Sequence, residues 1–377
     1  MPPILVHGSA RTRRAPRLRG GTLLRVLGLT VLLSACVPTP GAEVSMGRGA
    51  AADARAPVLP RAMASFGLNA AAPPARGNAG IARDLLDLSF RLESGRALAV
   101  FSRFEGPVTV RLSGDVPASA ATDAARLIAR LRAEADIDIR ATTLPDAAIT
   151  VEFLPRARIQ GTYANVACFV IPGVSSWAEF RARRRAPETD WESLVVRSRM
   201  AIFVPADGSA QEVRDCLHEE LAQALGPVND LYRLSDSVFN DDNFQNTLTG
   251  FDMLVLRATY APELRTGMTR AEVAARLPAL LARLNPGGAG AGAAEAVTAA
   301  TAATPRQWTS AIETALGGRG SLPAREQSAR QAIAIARAGG WQDARTALGH
   351  FALGRLLLSR DPATALASFA EAARIYR

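Results

Sequence analysis

The run from Asp215 to Asp230, Asp-Cys-Leu-His-Glu-Glu-Leu-Ala-Gln-Ala-Leu-Gly-Pro-Val-Asn-Asp, gathers the side chains of this 377-residue chain best suited to chemistry. A zinc site of the hydrolytic kind takes two imidazoles at i and i+4 on one helix face, with an intervening glutamate to activate water. Counted from His218, the second-ligand position falls on Ala222, which has no donor. One residue later the count fits better: Glu219 and Gln223 take the ligand positions, Glu220 the general-base position, Gly226 the turn and Asn229 a third-ligand position. These are oxygen and amide donors, ill suited to tight zinc binding and better suited to a hard divalent cation. Glu219, Gln223, Asn229 and Asp230 are therefore candidate metal ligands, with Asp236, Asp241 and Asp242 close by in sequence. The plainer reading of such acidic residues is a solvated loop. Glu220 is a candidate general base if it is desolvated beside a substrate, or else a glutamate hydrogen-bonded within a cleft. His218 lies about 100° around the helix from Glu219; it is a candidate for proton transfer, with a structural hydrogen bond as its default role. Gly226 is expected to end the helix in a left-handed turn.

The elements that must position these residues follow from hydrophobic period. Strands are expected at Val108–Leu112, Ile137–Ala141, Ala148–Leu154, Val166–Ile171 and Met200–Val204, with helices over Ala118–Ala133 and Gln211–Leu225. Thr269 and Glu272 have the spacing of a capping box for a helix running to Leu284. The order is α+β, a mixed sheet with helices packed on it. Beyond a Gly/Ala-rich linker at 286–304, four helix candidates follow within 305–377: Trp308–Leu316, Arg325–Ala338, Gln342–Leu358 and Pro362–Tyr376. The last two resemble a tetratricopeptide hairpin, in which case the tail could present a peptide-binding groove; the alternative is an ordinary hairpin that caps the fold.

The amino terminus bears on the compartment. Arg11, Arg13, Arg14, Arg17 and Arg19 precede an apolar run from Leu23 to Leu33, broken only by Arg25, and then Leu33-Ser34-Ala35-Cys36. This is the pattern of a bacterial secretory signal over 1–35, and the tetrad resembles a lipobox, with Cys36 as the lipidated residue. At about 11 residues the run is too short to span a bilayer, which takes roughly 20. Residues 36–80 read as a flexible Ala/Gly/Pro tether. The expected place is the bacterial envelope, lipid-anchored; the family resemblance given below implies a Gram-negative periplasm, and by the lipoprotein resemblance Val37 after the cysteine favours the outer membrane. The formal charge of +9 drops to +3 once the six arginines before Cys36 are subtracted, so no nucleic-acid partner is expected. Cys168 and Cys216 are then the remaining pair; in an oxidising compartment they read as a disulfide, the competing reading of Cys216 being a metal ligand or reactive thiol. The chain has only three histidines, His7, His218 and His350, which excludes a three-histidine site.

The shifted register around Glu219 resembles the zinc-helix motif of metzincins in a degenerate form. Ser237-Val238-Phe239-Asn240-Asp241 resembles their Met-turn, with Phe239 for methionine, and Leu248-Thr249-Gly250-Phe251-Asp252 with Tyr260 resembles their closing helix. The His-Glu-Glu run and the later Phe-Asn-Asp together resemble a proteobacterial lipoprotein family known as domain of unknown function 2927, over roughly residues 81–285. The resemblance implies a metzincin-like fold and no particular activity. Two functional expectations follow: a membrane-tethered, catalytically silent binding domain for an envelope protein or peptide, or a hydrolase acting on envelope protein or peptidoglycan through Glu220 and an oxygen-ligated ion.

Overall fold

The computed structural model describes residues 72–74, 76–163, 166–240, 244–289, 304–317 and 320–376, all within one compact unit, Ala62–Arg377. The expected signal peptide, Cys36, most of the tether, Asp241 and Asp242, and the linker from 290 to 303 lie outside the described residues.

Five strands form one sheet: β1 (Val108–Gly114), β2 (Ile139–Ala141), β3 (Ile149–Leu154), β4 (Phe169–Pro172) and β5 (Met200–Pro205), in the order β2-β1-β3-β5-β4. The first four in that order run parallel, and β4 pairs antiparallel with β5, from Phe169 opposite Phe203 to Pro172 opposite Met200. Strands covered on both faces need apolar side chains at every position; β5, Met-Ala-Ile-Phe-Val-Pro, is buried throughout. β4 is an edge strand, and Cys168 sits one residue before it rather than inside it as expected.

The sheet and its helices are α1 (Asn78–Phe90), α2 (Ala118–Ala135), the short α3 (Arg156–Gln160) and α4 (Trp177–Arg183), α5 (Ala210–Leu225), α6 (Gly250–Thr259) and α7 (Arg270–Leu284). The folded domain opens thirty residues earlier than the first expected strand, because α1 is part of the core: Ile81, Leu85 and Leu88 are fully buried. Its start carries no side-chain cap and no acidic first turn, the marks by which a helix start is recognised in sequence. Asn78 and Asn285 clip the two ends of the domain together, with Asn78 Nδ2 donating to the Asn285 carbonyl at 3.1 Å and Asn285 Nδ2 to Asn78 Oδ1 at 3.0 Å.

The tail forms α8 (Arg306–Leu316), α9 (Leu322–Ala338), α10 (Ala344–Leu357) and α11 (Pro362–Tyr376) around a core containing Trp308, Ile333, Trp341 and Leu353. α10 and α11 approach closely at Gly354, where a Cβ would meet the Phe369 ring at 2.8 Å. The tail is docked through rings: Tyr232 meets Trp308 edge-on at 5.1 Å, and Phe244 contacts Phe351 at 5.0 Å and Tyr376 at 4.7 Å.

Candidate functional site

α5 carries the candidate residues and is held at both ends. Its start has a capping box: the Ser209 hydroxyl accepts from the Glu212 amide at 3.2 Å, and the Glu212 carboxylate accepts from the Ser209 amide at 3.3 Å. Its last carbonyls would be orphaned in the core without a partner. Arg197 supplies one, donating to the carbonyls of Gln223 at 2.6 Å, Ala224 at 2.8 Å and Gly226, and to the Ser102 hydroxyl at 3.2 Å. The Tyr260 hydroxyl donates to the Leu225 carbonyl at 2.9 Å. Full burial pushes the Arg197 guanidinium down to about 10, so it stays a cation at neutral pH and complements the negative end of the helix dipole. Arg197 also sits over the Trp191 ring, 5.3 Å from its centroid.

Gly226 does not take the expected left-handed turn. Its φ of −175° is ordinary extended backbone. The glycine answers to space instead, since a Cβ there would lie 2.7 Å from Thr259 Cγ2. Thr259 is fully buried and its hydroxyl bonds the Val255 carbonyl at 2.9 Å, so it cannot swing aside cheaply. Gly226→Ala is expected to lower stability by about 1–3 kcal/mol, read by urea unfolding. The double variant with Thr259→Ser should recover most of the loss; failure to recover would point to the backbone rather than the contact.

An open cleft of about 490 Å³ lies beside α5. Glu219, Glu220 and Gln223 form one wall, the segment Val166–Val170 leading into the β4 edge forms the facing wall, and Leu92–Ser94, Trp191 and Val228 complete it. Cys168 is disulfide-bonded to Cys216, their Cα atoms 5.9 Å apart, so the strand wall is covalently tied to the helix wall. The carboxylates of Glu93, Glu219 and Glu220 line the cleft, and none of its lining residues is basic.

The remaining candidates lie elsewhere or are otherwise engaged. Gln223 Nε2 donates to Asp230 Oδ2 at 3.0 Å. Asn229 Nδ2 donates to the Asp87 carbonyl at 3.0 Å and the Val228 amide donates to the Leu88 carbonyl at 2.9 Å, so the chain after α5 is pinned to the end of α1. Asn229 and Asp230 line a neighbouring cleft rather than this one. Arg233 reinforces the same junction through Asp84 at 2.7 Å and Asp87 at 2.9 Å. Among the described residues, no group of three or more His, Cys, Asp and Glu side chains is arranged to hold a metal ion.

The Ser237–Asn240 segment folds onto α6 through Asp252, whose carboxylate accepts from the Ser237 hydroxyl at 2.6 Å, the Val238 amide at 3.2 Å and the Thr249 amide at 2.8 Å. Phe239 is fully buried beneath it. Arg197 and α1 are supports that the sequence reading does not contain, since an isolated Arg carries no spacing signal; Asp252, read there only as part of the closing-helix resemblance, stands three residues after Thr249, the capping-box spacing that starts α6.

His218 faces away from the cleft. Its Nδ1 accepts from the Leu248 amide at 3.1 Å, and burial, with Arg130 and Arg214 adding repulsion, pushes its pKa down to about 3. The histidine resonances of the folded protein should therefore show His218 neutral from pH 8 to below pH 4 in an NMR titration; a transition near pH 6 would mean the pocket is open to water. A depressed histidine pKa gives stability that is present above the unfolded value of about 6.5 and lost as pH falls toward 3. Asp252 acts in the opposite direction: burial pushes its carboxyl up to about 6, so its contribution is complete below its unfolded value and lost as pH rises through 6. The two oppose each other between pH 6 and pH 4, so the site-resolved titration isolates what a bulk stability curve would blur.

The architecture is an α/β domain whose open-edged sheet and disulfide-tied helix enclose a carboxylate-lined cleft, followed by a helical tail. The chain belongs to the family described as protein of unknown function DUF2927, whose family model matches residues 78–279, just over half its length. The match begins at the first residue of α1 and ends within α7. No curated protein and no solved structure matches the chain at a significant level.

Proposed function

We propose that the mature chain is a lipid-anchored envelope protein facing the periplasm, more at the outer than the inner membrane, whose metzincin-like domain binds a protein or peptide and does not hydrolyse it. The observation that carries this reading is the use made of the ligand-position side chains. Asn229 and Asp230 line the neighbouring cleft, with Asn229 pinned to the end of α1 and Gln223 held against Asp230, so the expected ligand set does not converge and the first cleft presents glutamates, a tryptophan and an edge strand. An edge strand offers a row of main-chain donors and acceptors, and an extended polypeptide is the natural complement to it. The sheet order with its antiparallel edge beside α5 supports the metzincin-like assignment, and the close approach of α10 and α11 at Gly354 supports a tetratricopeptide-like hairpin.

The second reading, a hydrolase with Glu220 as general base and an oxygen-ligated divalent cation, is favoured by one feature: Glu220 lines the cleft, where a general base would have to meet a bound substrate, while only 5% exposed. Metal content by mass spectrometry separates the two. Protein purified from an oxidising compartment without chelators or a histidine tag is expected to carry far less than one ion per chain. Near-stoichiometric metal that disappears in Glu219→Ala or Gln223→Ala would overturn the binding reading, and Glu220→Gln would then be expected to abolish hydrolysis while keeping the metal.

A further inference from the structure

We infer that the binding groove does not end with the family domain: it continues onto α8 of the helical tail, and its occupant is one extended polypeptide segment lying across both parts. This rests on the proposed binding function and extends it to the length of the ligand and the role of the tail.

A second cleft of about 760 Å³ adjoins the first, and the two share the same three residues, Leu92, Glu93 and Ser94. One turn therefore forms a common rim with a cavity on either side. The second cavity is walled on one side by Asp87 and Arg91 at the end of α1 and by Asn229–Arg233, and on the other by Thr304, Arg306, Thr309 and Glu313 of the tail. The tail wall is fixed in place. Arg306 donates to the Ser94 carbonyl at 3.0 Å, joining α8 to the rim itself, and Tyr232, which lines the cavity, packs against the buried Trp308. A preformed cavity of this kind needs no ordering of the tail when a ligand binds, so contacts there add to affinity directly.

Strand addition at the β4 edge selects a polypeptide over other polymers, because only a polypeptide main chain matches the spacing of the edge donors and acceptors. The first cleft, with three carboxylates and no basic lining residue, favours lysine or arginine in the part of the segment that lies over it. The second is lined by both signs, Arg91 and Arg306 with Glu93 and Glu313, and calls for a mixed polar sequence. A segment of 12 residues spans about 40 Å when extended and one of six about 20 Å, so length discriminates a one-cleft ligand from a two-cleft ligand.

The test uses the mature chain with its disulfide intact and a phage-displayed library of random dodecapeptides. Enriched peptides are synthesised whole and as hexapeptide halves, and their affinities are read by fluorescence anisotropy against wild type, Thr309→Trp, Glu313→Arg and Glu219→Arg. Thr309 is half-buried and Glu313 exposed on α8, so neither substitution disturbs the tail core. The expected result is that each half binds at least tenfold more weakly than the whole, that Thr309→Trp and Glu313→Arg weaken the dodecapeptide about tenfold or more, and that the half responding to Glu219→Arg ignores both tail variants. Dodecapeptides that respond to Glu219→Arg but not to the tail variants would overturn the two-cleft groove and leave the binding function standing. No enrichment, or binding indifferent to all three substitutions, would overturn both.

Discussion

Replacing Arg197 by alanine is expected to cost the fold about 3–5 kcal/mol, the range for removing one side of a buried charged hydrogen-bonded cluster. The arginine is fully buried and its guanidinium serves three carbonyls at the end of α5 together with the Ser102 hydroxyl. Without it those carbonyls face an apolar interior, and each unsatisfied group costs about 1–3 kcal/mol. Arg197→Lys should recover less than half, because an ammonium cannot fork across several carbonyls as a planar guanidinium does. Urea unfolding followed by circular dichroism gives the magnitude, and tryptophan emission gives the local consequence, since Trp191 loses the cation above its ring on one side of the cleft. A loss below about 1 kcal/mol would mean that water reaches the helix end and that the cleft wall does not depend on this residue.

Removing the Cys168–Cys216 bond should be of similar size. It closes a loop of 48 residues, for which the chain-entropy relation gives about 4 kcal/mol. The double variant Cys168→Ser, Cys216→Ser should therefore unfold at markedly lower denaturant than wild type, and wild type under reducing conditions should match it. The functional effect is expected at the same place, because Cys168 forms part of the cleft wall and the bond ties that wall to α5. Peptides captured by the wild-type chain should dissociate faster from the variant even at temperatures where both are folded. Equal midpoints in the presence and absence of reductant would remove the disulfide from the account of stability.

Much of the scaffold is legible along the chain. β1, β3, β5, α2, α5 and all four tail helices fall close to where hydrophobic period and caps place them, because each repeats an apolar residue at its own period and most are bounded by Gly, Pro or a polar cap. The Thr269–Glu272 capping box is present as expected, with both hydrogen bonds made. α1 is the element that escapes, since it starts behind Gly77 without a capping side chain and follows an Ala/Pro-rich stretch that reads as tether. Its absence from the sequence reading hides the partner of Asn229, which is a helix-end carbonyl of α1.

The site divides in the same way. Local spacing along α5 is enough to put Glu219, Glu220 and Gln223 near one face and His218 off it, because a helix fixes the angular separation of neighbours whatever surrounds it. Pairing of Cys168 with Cys216 follows from there being only two cysteines left after Cys36. What surrounds α5 depends on segments far away in sequence: Arg197 at its end, Thr259 against Gly226, Leu248 against His218 and Asp87 against Asn229. These contacts decide that Gly226 serves close packing rather than a left-handed turn, that His218 is a buried acceptor, and that the tail supplies one wall of the second cleft. Each is a matter of packing and hydrogen-bond satisfaction between distant residues, and periodicity within a segment carries no information about which distant group will fill the space beside it.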